Sequence, residues 1–241
     1  MSRILLLGGT EEARELAERL VEKRADVTSS FQSEFAEDYA GHVRRGGFGG
    51  EEGLTDFIRD GGFTIVVDAT HPFAATISPA AKRAAKAAGA RYYRLERRPW
   101  RRATGDRWID VRSLEEAAER IDDGARVFLT VGSRGLAPFL ARRDLELFAR
   151  VIERPDLGTR HDVTLITERG PFDLEHERAL FQRYRFDAMV TKNSGGEATA
   201  AKLVAARERK MLVYMVKRPR GQPWANAATV DQMMRKLRRH L

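Results

Sequence analysis

The chain has no cysteine in its 241 residues. Disulfides, Cys-ligated zinc, iron–sulfur clusters and a cysteine nucleophile are thereby excluded. Histidine is scarce, with five copies, and His42, His161, His176 and His240 show no metal-ligand spacing with one another. No metal is expected. Long apolar runs are missing as well, and none approaches the ~20 residues of a membrane span. The opening Met1-Ser2-Arg3-Ile4-Leu5-Leu6-Leu7-Gly8 is too short in its apolar part for a signal peptide, and no small-residue cleavage site follows. A soluble cytoplasmic protein with no membrane partner is the expectation. Neither a G-x-S-x-G elbow nor the G-x-x-x-x-G-K-[ST] order of a phosphate loop occurs, so a serine hydrolase or a nucleoside triphosphatase is not indicated.

What is present is an ordinary globular composition, 42% hydrophobic and 32% charged, in a chain long enough to bury a core without staples. At ~150 residues per domain this is one large domain or two small ones. Lys and Arg number 43 against 35 Asp and Glu, a net charge of +8, and most of the cations are arginine. Arginine grips planar anions in bidentate fashion, so the partner is a nucleic acid or a small polyanion, unless the charge is simply solvated surface. The pairs Arg97-Arg98, Arg101-Arg102 and Arg142-Arg143 are dispersed. No stripe interleaves them with aromatics, as a single-strand binder would need, and no nucleic-acid partner is expected.

A short apolar run, a Gly-containing loop and a helix-like stretch recur along the chain. Residues 4–7, 27–30, 64–69 and 91–94 read as strands in the first half, and 126–131, 147–152, 163–167, 188–191 and 211–216 in the second. The nearly continuous apolar run 64–69 suits a parallel strand covered on both faces. Helices are expected over 11–23, where Ala13, Leu16, Ala17 and Leu20 share a face, and over 77–89, which ends on Gly89. Further helices are expected over 136–141, 174–184, 197–209 and 230–241, and a weaker strand-like segment lies between the halves at 105–111. This alternation means an α/β fold with mainly parallel sheets. Roughly five strands per half make two domains, 1–118 and 119–241, joined near 112–125.

Ligands of open α/β sheets bind outside the carboxyl ends of the strands. Gly8-Gly9-Thr10-Glu11-Glu12-Ala13 is a glycine turn leading into a helix, whose N–H groups suit a phosphate. Gly8 and Ala13 fit G-x-G-x-x-G/A, while Thr10 replaces the middle glycine; a tight turn with Thr10 as N-cap accounts for the same residues. Thr28-Ser29-Ser30 lacks the carboxylate that bonds a ribose 2′-hydroxyl, which favours NADP if a dinucleotide binds, although a plain polar strand end reads the same way. In Arg44-Arg45-Gly46-Gly47-Phe48-Gly49-Gly50, four glycines surround one aromatic. They allow close backbone approach to an anion, or form a loose turn. Asp68-Ala69-Thr70-His71-Pro72-Phe73 follows the strongest strand and puts His71 where it donates a hydrogen bond, shuttles a proton, or fixes its own loop. The second half offers Thr130–Gly135, Glu168–Phe172 and Thr191–Gly196, each after a strand and together rich in cations, hydroxyls and glycines.

These segments together resemble the precorrin-6A reductase family of the cobalamin pathway. The matching pieces are Gly8-Gly9-Thr10 with Glu12-Ala13, residues 46–50, and Val67-Asp68-Ala69-Thr70-His71-Pro72-Phe73-Ala74. Further matches are Val131-Gly132-Ser133-Arg134-Gly135, Arg169-Gly170-Pro171-Phe172 and Thr191-Lys192-Asn193-Ser194-Gly195-Gly196. They run through residues 3–218; residues 31–41 and the basic tail after Pro219 carry no match. The D-A-T-H-P-F and T-K-N-S-G-G segments are the specific ones.

The resemblance implies two Rossmann-like parallel-sheet domains with the active site in the cleft between them, the first holding NADPH and the second contributing to the substrate and cofactor cleft. It implies an oxidoreductase that reduces one macrocycle double bond of precorrin-6A to give precorrin-6B (dihydroprecorrin-6). The substrate's many carboxylates would account for the positive charge. On that reading Gly8, Gly9, Thr10, Arg14, Ser29, Ser30, Gly47, Phe48, Gly49 and Thr70 hold the cofactor. Asp68 and His71 position the nicotinamide end without a committed proton donor, the proton coming from water. Arg134, Lys192, Asn193, Ser194 and Gly195 take substrate carboxylates, or close over the cofactor from the second domain. A cobalt-containing substrate of the anaerobic route, or another polyanion reduced by an NADP-linked enzyme, fits the same residues. A monomer is compatible with the sequence.

Overall fold

The computed structural model describes residues 2–32, 39–160 and 162–241. Residues 33–38, within the unmatched stretch 31–41, lie outside them, as does His161. The chain divides into two compact units, Met1–Arg98 with Pro219–Leu241, and Pro99–Arg218.

The first unit is built on five parallel strands: β1 (Arg3–Leu7), β2 (Asp26–Phe31), β3 (His42–Arg45), β4 (Ile65–Asp68) and β5 (Arg91–Arg94), in the order β3-β2-β1-β4-β5. Alternation along β1 sends its side chains to opposite faces. Ile4 and Leu6 pack with α1 (Glu11–Glu22) through Ala13, Leu16, Ala17 and Leu20. Leu5 and Leu7 pack with α2 (Glu51–Asp60) and α3 (Ile77–Ala87) through Leu54, Ile58, Ala81, Ala84 and Ala85. With both faces covered, the strands can be apolar throughout, which is why β1 and β4 were readable as short apolar runs. Helix α3 gives way at Gly89, whose φ of +73° lies in the left-handed region beyond the C-cap.

The second unit has six parallel strands: β6 (Arg107–Val111), β7 (Arg126–Thr130), β8 (Glu146–Val151), β9 (Thr164–Thr167), β10 (Ala188–Lys192) and β11 (Leu212–Val216), in the order β6-β11-β10-β7-β8-β9. Its helices are α4 (Leu114–Arg120), the short α5 (Ala137–Leu140), α6 (Leu174–Tyr184) and α7 (Ala201–Glu208). An aromatic cluster fills one face, with Phe128 stacked on Phe186 at 4.6 Å and edge-on to Phe181 at 5.7 Å. Against it lies a buried bidentate ion pair, Arg150 to Glu177 at 2.7 and 2.9 Å.

This division differs from a boundary at residue 118 in two places. The weak segment at 105–111 is β6, an edge strand of the second sheet, with Trp108 opposite Val213 of β11. The basic tail returns to the first unit, where α8 (Val230–Leu237) lays Val230, Met233 and Leu237 against the apolar face of α1. That face would otherwise stay in water, and the i, i+3, i+7 spacing on α8 is the complement it needs. The return is pinned where Asn226 Oδ1 accepts from the Arg94 N–H at 2.7 Å and the Asn226 N–H donates to the Arg94 carbonyl at 2.8 Å. Helices α2 and α4 and strand β3 were not anticipated. Strand β3 has no buried residue, so its sequence carries no apolar signal.

Candidate functional site

In each sheet the chain reverses direction once, leaving a crevice at the carboxyl ends of the two central strands. In the first unit those strands are β1 and β4, and in the second they are β7 and β10.

After β1 comes the glycine turn. Gly8 lies under the Phe31 ring: a Cβ there would sit 2.3 Å from Phe31 Cε1. Gly9 has φ +110°, and among the described residues no atom lies within 4 Å of a Cβ position, which leaves its backbone open on that side. Thr10 is the N-cap of α1. Its Oγ1 accepts from the Ala13 N–H at 3.1 Å and donates to the Ala69 carbonyl at 2.9 Å, tying the β1 turn to the β4 loop. Arg14 stands half-buried on the first turn of α1. Glu12 is paired with Arg97 at 2.6 Å, which neutralises one carboxylate near the turn.

Strand β2 runs one residue past Ser30, so Ser29 and Ser30 are strand residues and not a loop. Ser29 is fully buried beside Leu6, and its Oγ has no hydrogen-bond partner among the described residues. It faces the α1 side of the sheet and does not reach the strand end. Ser30 points to the other face, where its Oγ accepts from Arg44 Nη1 at 3.3 Å. Arg44 was not singled out from sequence, yet it organises the glycine loop. Its guanidinium donates to the Gly46 carbonyl at 2.7 Å and the Gly47 carbonyl at 2.6 Å and lies over the Phe48 ring at 4.0 Å. Burial holds it below the usual arginine range. Phe48 packs on Phe57 at 5.3 Å, and Gly49 takes φ +76°.

After β4, Asp68 is 0% exposed and serves as a hub. Oδ1 accepts from the Thr70 N–H at 3.1 Å and its hydroxyl at 2.7 Å; Oδ2 accepts from the Tyr92 hydroxyl and from Arg94 Nη1, each at 2.7 Å. Arg94, itself 1% exposed, also pairs with Glu96. Burial works against the Arg94 cation, but the carboxylates of Asp68 and Glu96 outweigh it and hold the guanidinium above its ordinary value. Burial, then the charge of Asp68, pushes the Tyr92 hydroxyl well above its ordinary range, so it remains a donor. Asp68 therefore presents nothing to a ligand; it sets Thr70, whose hydroxyl also lies 3.2 Å from Ser78 Oγ. Tyr92 and Arg94 had a signal in sequence, since polar residues two apart on a strand share a face. His71 is half-buried, and its Nδ1 accepts from the Phe73 N–H at 3.2 Å. In the neutral ring this leaves the proton on Nε2 as a donor.

In the second unit, Gly132 at φ +77° opens the turn after β7, and Arg134 is exposed on it. Lys192, at the end of β10, is half-buried and donates from Nζ to the Val131 carbonyl at 2.8 Å, which clamps the two central strand ends together. Burial lowers its pKa. Asn193 is committed elsewhere: Oδ1 accepts from the Trp100 N–H at 2.8 Å and Nδ2 donates to the Trp100 carbonyl at 3.2 Å. Ser194 is buried, with its carbonyl held by Arg218 Nη2 at 2.9 Å, and Gly195 has φ +67°. Trp100 and Arg218, both absent from the sequence-derived set, thus shape this loop.

Among the described residues, no group of three His, Asp or Glu side chains could hold a metal, and no helix is long and apolar enough to cross a membrane.

Two parallel-sheet units, each with its chemistry-bearing loops at the carboxyl ends of the central strands, define a Rossmann-like α/β protein. The family described as precorrin-6x reductase, CbiJ/CobK, matches residues 3–238, and the chain belongs to it. It is 42% identical over 237 residues to the precorrin-6A reductase of Rhodococcus erythropolis, covering 97% of this chain and 95% of that one. It is 34% identical over 250 residues to the cobalt-precorrin-6A reductase of Priestia megaterium, with 97% of each covered. A solved structure of CobK precorrin-6A reductase superposes with a TM-score of 0.93 at 34% identity, covering 100% of this chain and 97% of that one.

Proposed function

We propose that this protein reduces a macrocycle double bond of precorrin-6A to give precorrin-6B in cobalamin biosynthesis, with NADPH as reductant. The full-length family match, over residues 3–238, carries the reaction. The cofactor reading rests on the first unit. The open backbone at Gly9, at φ +110° with nothing within 4 Å, fits a pyrophosphate over the N-terminus of α1. The end of β2 and β3 supports NADPH over NADH: Ser30, Phe31 and Gln32 supply no carboxylate, and Arg45, exposed at the end of β3 opposite Phe31, is a cation suited to a 2′-phosphate. A bound NADPH supplies the hydride.

The residues of this chain bind and orient. Thr10 and Arg44 hold the two glycine segments in shape, and Asp68 does the same for the loop of Thr70 and His71. His71 offers its Nε2–H to the nicotinamide end. Arg134 and Lys192, in the second unit, take carboxylates of the macrocycle, Arg134 in bidentate fashion. The proton that completes the reduction comes from water. The metal-free substrate is favoured by the 42% identity to a precorrin-6A reductase against 34% to a cobalt-precorrin-6A reductase.

The test is anaerobic incubation with precorrin-6A, or with its cobalt complex, and NADPH or NADH, followed spectroscopically. Turnover of precorrin-6A with NADPH is expected. Equal rates with NADH would refute the cofactor assignment, and turnover of the cobalt complex alone would reassign the substrate.

A further inference from the structure

Trp224 is 92% exposed, by far the most exposed of the large hydrophobic side chains among the described residues. Singly exposed apolar residues are ordinary on protein surfaces, but tryptophan is among the residues enriched where surfaces bind. Its position is defined by its loop. Residues 219–225 lead into the segment that pairs with the end of β5, where Leu95 and Ala227 form a parallel bridge and the Glu96 N–H donates to the Ala227 carbonyl at 2.9 Å. On the other side, Gln222 Nε2 donates to the Ala75 carbonyl at 3.3 Å, in the loop that carries His71. The loop is therefore fixed at the carboxyl edge of β4 and β5, inside the first unit. Pro219 and Pro223 restrict its backbone. Arg220, exposed four residues before Trp224, has no ion-pair partner among the described residues.

We infer that Trp224 is a substrate-contact residue that lies against the flat conjugated face of the tetrapyrrole, with Arg220 beside it for a peripheral carboxylate. The inference rests on the proposed macrocycle reduction. A conjugated polycarboxylate offers a π face and anionic edges, and an exposed indole and an exposed guanidinium carried by one loop match both. The proposed dinucleotide site is at Gly9, after β1, whereas the Trp224 loop is tied to the segments after β4 and β5, so Trp224 is assigned to the macrocycle and not to NADPH.

Trp224→Ala and Trp224→Phe are compared with wild type in thermal melts, NADPH titrations and steady-state reduction of precorrin-6A. Because the indole is outside the core, all three proteins should melt together and bind NADPH equally. Contact in both ground and transition state predicts a KM for precorrin-6A raised about 10-fold in Trp224→Ala with kcat within about 2-fold, and largely restored in Trp224→Phe. An unchanged KM in Trp224→Ala, or a weakened NADPH affinity instead, would overturn the inference. Failure of wild type itself to reduce precorrin-6A would sink the functional reading, a result separable from an active wild type with an indifferent Trp224.

Discussion

Replacing Asp68 by alanine removes four hydrogen bonds from a site with no access to solvent. Arg94, 1% exposed, keeps only Glu96 as a charged partner. Breaking a buried ion pair from one side costs about 3–5 kcal/mol, because the remaining charge stays desolvated. The other stranded donors add little, since the Thr70 hydroxyl has Ser78 Oγ at 3.2 Å and the Tyr92 hydroxyl has the Ser78 carbonyl at 3.5 Å. With a urea dependence of about 1–3 kcal/mol per molar, the unfolding midpoint should fall by at least about 1 M. Arg94→Met should also destabilise, and the double variant should lose less than the sum, by about 0.5–3 kcal/mol. Circular dichroism in urea reads all three variants, and NADPH fluorescence titration reads the folded fraction. An Asp68→Ala protein with a wild-type midpoint but impaired cofactor binding would refute the hub and make Asp68 a ligand group.

The two glycines of the first turn should separate cleanly. Gly8→Ala drives a Cβ to 2.3 Å from the Phe31 ring and should cost about 1–3 kcal/mol of stability by overpacking, seen in urea melts. Gly9→Ala meets no atom within 4 Å but is strained at φ +110°; it should cost about 1–3 kcal/mol. Unlike Gly8→Ala, it should also weaken NADPH at least about 10-fold, the equivalent of about 1.4 kcal/mol, in a titration. Lys192 has its pKa lowered from 10.5 by burial, so the unfolded chain holds this proton more tightly than the folded one. Wild-type stability should therefore gain a rising component with pH, from the depressed folded value up to 10.5; urea midpoints of Lys192→Met across that window should lack it. The positive charge should not confer nucleic-acid binding: six to ten phosphate contacts would make affinity fall about 10³–10⁵-fold between 50 and 200 mM salt, and a tight complex with duplex DNA at physiological salt would contradict the small-polyanion assignment.

The α/β class, most of the strands and the glycine-bearing loops at their ends were legible in the sequence. Apolar runs such as 4–7 and 64–69 record which residues leave water, and glycines such as Gly9 and Gly132 record where the backbone must turn left-handed. Both are local facts written in adjacent residues. Partnership, in contrast, depends on segments distant in the chain. The tail beyond Pro219 belongs to the first unit because α8 completes the face of α1, and Asn226 bonds Arg94 across 132 positions of sequence. Asn193 looked like a ligand group, but it spends its amide on Trp100, 93 positions away. Asp68 was expected to position the nicotinamide end, but Arg94 and Tyr92 on β5 take its carboxylate. A polar side chain declares in sequence only that it must be satisfied; which partner satisfies it, protein or ligand, is set by the register of strands brought together from far apart in the chain.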